Sequence, residues 1–176
     1  WSTLGNVFTW STDNFVLSSD NIPYMMYNVR GSSSIQKWIE GSGWTQLGDA
    51  FTWNIETFVL SPDNTPYISY YNTDDGSSSI QKFVGGVWTQ LGDAFSWNIN
   101  TFVLSTDNVP YIIYYNNDDS SRSIQKWIEG SGWTQLGDAF SWNINTFVLN
   151  SDNIPYIVYI NSNDNTQSIQ QWIEGL

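Results

Sequence analysis

Apolar and polar positions along this chain follow no helical period; they form short runs of β-branched and aromatic residues separated by turn residues. In one such run Tyr111, Ile113 and Tyr115 fall on one face of an extended strand and Ile112 and Tyr114 on the other. A strand that is apolar on both faces has to be covered on both faces, as the inner strands of a propeller blade are. In the next run Gln125, Lys126 and Glu129 interrupt Ile124, Trp127 and Ile128, which places it nearer a rim. The turn before the doubly apolar strand reads Ser-x-Asp-Asn-x-Pro-Tyr, where Asp107 and Asn108 tolerate the left-handed backbone of a tight hairpin. Pro110 then enters the following strand at its first residue, the place where a missing N–H is tolerated.

This pattern occurs four times. Copies begin at Trp1, Trp44, Trp88 and Trp133, spaced 43, 44 and 45 residues apart, and the third and fourth share WTQLGDAFSWNINTFVL without a change. Each copy predicts four strands: in the last, residues 133–137 (WTQLG), 146–149 (TFVL), 155–160 (PYIVYI) and 168–174 (SIQQWIE). The expected fold is all-β: a four-bladed β-propeller of four-stranded antiparallel blades, forming one domain over residues 1–176. With the strands named A to D outward from the axis, TFVL is A and WTQLG is D. The chain therefore opens on a D strand and lacks one after its last C strand. Pairing residues 1–5 beside residues 168–174 would complete the fourth blade and close the ring. The competing arrangement is a homodimer in which two chains exchange that strand and share an eight-bladed ring. Bulky residues to fill the wedges of a small ring are plentiful, with 11 Trp, 10 Tyr and 9 Phe.

Residues 100–127, NTFVLSTDNVPYIIYYNNDDSSRSIQKW, resemble an NHL-type propeller blade: an apolar strand, an Asp-x-Gly-like turn, a second apolar strand and an R-I-Q-K-F-like strand. All four copies fit, so the resemblance implies NHL-like blades along the whole chain. It departs from the family at Asn108, where Gly is usual, and in having four copies where six blades are usual.

Composition narrows the function. The chain has neither Cys nor His, which removes disulfides, thiolate metal sites, the commonest general base and nearly all zinc and copper ligand sets. A formal charge of -12 repels nucleic acid and anionic lipid. No run approaches 18 apolar residues, so no membrane insertion is expected. Abundant Asn, Ser, Thr and Asp beside 17% aromatics fits a secreted or cell-surface protein, and a first residue of Trp rather than Met fits a processed segment.

Because A to D alternate in direction, the D-to-A crossovers and the B–C hairpins emerge on one face. Each crossover spans 14 residues from Trp to Phe and carries a Trp, with Asn beside it in copies two to four. Trp10, Trp53, Trp97 and Trp142 are candidate stacking platforms for sugar rings, with Asn54, Asn98, Asn143 and the hairpin carboxylates Asp75, Asp119 and Asp164 as hydrogen-bonding groups. The competing role for the Trp side chains is to plug the wedges between blades. The Asp pairs lack the oxygen-ligand pattern of a calcium loop, so no metal or cofactor is expected and the hairpin tips read as solvated turns. Arg30 and Arg122 stand alone in alternate blades and form no arginine cluster of the kind a sialidase needs. Glu56 is the one acid that breaks the repeat, standing where Asn100 and Asn145 follow. Four nearly identical surfaces favour binding over reaction. The expected function is a non-catalytic, lectin-like module with multivalent glycan recognition; the alternative is a structural or protein-interaction module of an extracellular repeat protein.

Overall fold

The computed structural model describes residues 1–9 and 11–174. Among them there is no helix, and the strands form four antiparallel sheets, each built from strands consecutive in the chain. The first sheet is β1 (Thr12–Leu17), β2 (Pro23–Val29), β3 (Ser32–Ile39) and β4 (Gly43–Gln46). The second is β5 (Asn54–Leu60), β6 (Pro66–Asn72), β7 (Ser77–Val84) and β8 (Val87–Gln90). The third is β9 (Ile99–Leu104), β10 (Pro110–Asn116), β11 (Ser121–Ile128) and β12 (Gly132–Gln135). The fourth has three strands, β13 (Asn143–Leu149), β14 (Pro155–Ile160) and β15 (Gln167–Gln171).

Two expectations are corrected at the ends of this series. Residues 1–5 lie in no strand, and the last C strand stops at Gln171 rather than reaching residue 174. The physical reason is shared: an extended segment is held by its ladder hydrogen bonds, and neither segment has a partner strand in the place where the other repeats have one.

The chain divides into two compact units, Trp1–Ala94 and Phe95–Leu176, each holding two sheets. In the first unit Tyr24, Met26 and Ile35 of one sheet pack against Ile55, Phe58 and Ile68 of the next. In the second, Tyr111, Ile113 and Ile124 meet Phe147 and Ile157 in the same way. Within each unit, therefore, the B and C strands of its first sheet bury the Phe of the following A strand. Each such side chain contributes about 1.5–3 kcal/mol when fully buried. The doubly apolar B strand is covered as its pattern requires: Tyr111, Ile112 and Ile113 are all buried.

The A-to-B turns place Asn21, Asn64, Asn108 and Asn153 at φ of 61°, 64°, 65° and 61°. Asn tolerates this region, and its side chain then does a second job. The Asn64 amide reaches the preceding turn: its Nδ2 donates to Asp20 Oδ1 at 2.6 Å and Ser19 Oγ at 2.7 Å, and its Oδ1 accepts from the Ser19 N–H at 2.7 Å. Asn153 repeats the clamp, donating to Asp107 Oδ2 at 3.0 Å and accepting from the Thr106 N–H at 2.8 Å.

Candidate functional site

The crossover and the hairpin of one repeat meet because A and B are antiparallel. Asn54 at the start of β5 pairs with Tyr71 at the end of β6, and Asn143 pairs with Ile160 in the fourth sheet. In the third, the Tyr115 N–H donates to the Asn98 carbonyl at 3.0 Å. The Trp–Asn crossover and the Asp-bearing hairpin thus share one end of the second, third and fourth sheets. Trp53, Trp97 and Trp142 are half-buried there, and Asn54, Asn98 and Asn143 beside them are exposed. Trp10 lies outside the described residues.

The hairpin aspartates are exposed, and their carboxylates serve the turn itself. Asp75 accepts from the Ser77 N–H, Asp119 from the Ser121 N–H, both at 2.9 Å, and Asp164 from the Thr166 N–H at 3.0 Å. Each hairpin opens with an Asn doing likewise, as Asn72 does for the Asp74 N–H at 3.0 Å. Hydrogen bonds from the Ser77 and Ser121 side chains, then from their N–H groups, hold Asp75 and Asp119 below the usual carboxylate range; for Asp164 the Thr166 N–H is the larger cause and its hydroxyl follows. No group of three or more His, Cys, Asp or Glu residues that could hold a metal ion occurs among the described residues.

Glu56 has a position that the sequence does not reveal. The β5–β6 register skips it, so it is the extra residue of a β-bulge, and the β13–β14 register skips Asn145 in the same way. A bulge re-aims its side chain. Desolvation raises the Glu56 carboxyl above its ordinary pKa even though the side chain as a whole is exposed. Basic side chains lie over aromatic faces: Lys37 over Tyr24 at 5.4 Å, Lys82 over Tyr67 and Lys126 over Tyr111 at 5.6 Å, and Arg122 over Tyr115 at 4.5 Å.

The other Trp set, the one opening each WTQLG strand, has a structural post. Trp88 sits between Phe51 of the crossover, at 5.6 Å between ring centroids, and Phe83 of the C strand, at 5.1 Å. Its indole N–H donates to the Leu47 carbonyl at 2.8 Å, and Gly48 passes so close that a Cβ there would meet Trp88 at 3.0 Å. Trp44 repeats this with Phe8 at 5.8 Å, Trp38 at 5.6 Å and the Leu4 carbonyl at 3.0 Å. In the fourth repeat the corresponding Leu136, Gly137, Phe140 and Trp172 line a cavity of about 390 Å³. Sequence reading missed this post, although the invariant Trp-x-x-Leu-Gly spacing was its signal.

The sequence matches no protein-family model and no curated protein. Solved structures do resemble the fold. A "putative 6-phosphogluconolactonase" from Bacteroides uniformis is 11% identical with a TM-score of 0.52, over 92% of this chain and 54% of its own. An uncharacterized protein from Listeria monocytogenes is 10% identical with a TM-score of 0.64, over 96% and 53%. A protein from Lactobacillus plantarum is 13% identical with a TM-score of 0.50, over 93% and 55%. The chain thus spans about half the length of the structures it resembles, and at these identities the likeness establishes the architecture alone: a repeated, all-β, propeller-like fold.

Proposed function

We propose that this chain is a non-catalytic recognition module of the cell surface or the extracellular space, and that the Trp–Asn crossovers bind carbohydrate at several related sites. The observation that carries the reading is the recurrence, at one end of three sheets, of a half-buried indole beside an exposed carboxamide. An indole presents an apolar face to the C–H side of a sugar ring, and the carboxamide offers both a donor and an acceptor to its hydroxyls. Several weak sites on one scaffold gain affinity through multivalency. The sheets act as NHL-like blades of a ring, completed when a strand of the residue 1–5 type joins the fourth sheet.

Binding to a broad glycan array tests this. Trp97→Ala together with Trp142→Ala is expected to weaken binding about tenfold or more, as the loss of stacking anchors does. Absence of binding to every sugar on the array overturns the carbohydrate reading. Turnover in a glycan-hydrolysis screen that disappears in Glu56→Gln would overturn the non-catalytic one.

A second reading, an assembly building block, is favoured by a separate observation. Phe15 and Leu17 of the first sheet and Val148 and Ile169 of the fourth are exposed apolar side chains.

A further inference from the structure

In the second unit a cation stands where the other repeats carry a neutral side chain. Arg122 pairs with Tyr115 on the neighbouring strand, as Ser33 pairs with Asn28, Ser78 with Tyr71 and Gln167 with Ile160. Ser33 and Ser78 are buried at 5% and 1% exposure, whereas Arg122 is half-buried. Its guanidinium lies over the Tyr115 ring at 4.5 Å, and among the described residues it forms no ion pair, although the chain has 17 acidic residues. Withdrawing a guanidinium from water without an anion costs energy that a cation–π contact offsets only in part. With one face stacked, the planar fork of N–H donors keeps its edge for a carboxylate.

The backbone sets this group between two crossovers. The Arg122 N–H donates to the Phe140 carbonyl at 2.9 Å, and the Arg122 carbonyl accepts from the Phe140 N–H at 2.6 Å. Phe140 lies two residues before Trp142. On the other side, the Tyr115 N–H donates to the carbonyl of Asn98, the residue after Trp97. Tyr115 and Arg122 share a sheet face with Ile113 and Ile124, the face packed against the fourth sheet. The acids nearest in sequence act on the opposite face: Tyr114 alternates with Tyr115, and burial followed by the charges of Asp118 and Asp119 raises its hydroxyl above the ordinary pKa.

We infer that Arg122 decides which saccharide the second unit takes: it binds the carboxylate of a uronic acid whose ring stacks on Trp97 or Trp142, with Asn98 and Asn143 bonding the hydroxyls. This rests on the carbohydrate reading of the crossovers and names the sugar class within it. The charge of -12 repels a polyanion, so the ligand carries isolated uronates in an otherwise neutral glycan. The first unit has the opposite chemistry at the same place, where Asn28, the partner of Ser33, donates to the Asp13 carboxylate at 2.7 Å. A uronate there would meet a carboxylate in place of a guanidinium, so the preference belongs to the second unit.

Calorimetric titration tests the inference, using short neutral oligosaccharides that each carry one glucuronate or galacturonate, beside the same compounds as carboxyl methyl esters. An acid is expected to bind about tenfold or more tighter than its ester, because esterification removes the charge from the bidentate pair and keeps the ring. Arg122→Ser installs the residue that β3 and β7 carry at this position, so the far-UV circular dichroism is expected to persist while the acid falls to the affinity of its ester. Acid and ester binding alike to the wild-type chain overturns the inference without any variant and leaves the carbohydrate reading standing. A preference that survives Arg122→Ser overturns it too, as does a loss in that variant that strikes acid and ester equally. If neither acid nor ester binds, the inference falls together with the carbohydrate reading.

Discussion

Phe58 and Phe15 occupy the same place in two repeats, and the structure predicts opposite responses to the same substitution. Phe58 is completely buried between the first two sheets, with the Tyr24 ring 6.3 Å from its own. Phe58→Ala removes the whole side chain from a closed interface, and the cavity left behind adds to the lost transfer energy, so about 3–5 kcal/mol is expected. That is a large part of the ~5–15 kcal/mol available to a domain. Phe15 is 61% exposed, so only the remaining two-fifths of its surface is withdrawn from water. Applied to the ~1.5–3 kcal/mol for full burial, this leaves about 0.6–1.2 kcal/mol. Urea unfolding followed by circular dichroism, at a concentration low enough to keep copies apart, measures both. Equal losses at the two positions would refute the assignment of β1 as an uncovered face.

Three other measurements probe the turns. Asn64→Gly keeps the positive φ and removes only the bonds to Ser19 and Asp20, so about 1–2 kcal/mol of stability is expected to go. Asn21→Gly, at the same backbone conformation but exposed, is expected to stay within about 0.5 kcal/mol of wild type in the single chain. Asp75, Asp119 and Asp164 have folded pKa values below the ordinary one, so their turns are fully stabilised above about pH 4 and lose that contribution as pH falls through the lower folded values. Amide exchange at Ser77, Ser121 and Thr166 is the readout, and Ser77→Ala is expected to return Asp75 towards the ordinary range.

The sequence determined what is local. Its period, its runs of β-branched residues and its Asp-Asn turns placed the A, B and C strands of every repeat, and β14 coincides with the expected 155–160 strand. It also brought the Trp–Asn crossovers to the same sheet ends as the Asp hairpins, because alternation of strand direction follows from short connections. Residues 1–5 were expected to be a strand on the same pattern and are not, since a strand exists only with a partner for its N–H and C=O groups. The bulge that sets Glu56 out of register was invisible for a related reason, as register is a property of two strands. Tertiary structure decided which copies of one side chain are core and which are surface. Phe15 and Phe58 stand in the same motif, as do Ile169 and Ile35, and their exposures differ because burial is conferred by the neighbouring sheet and not by the residue.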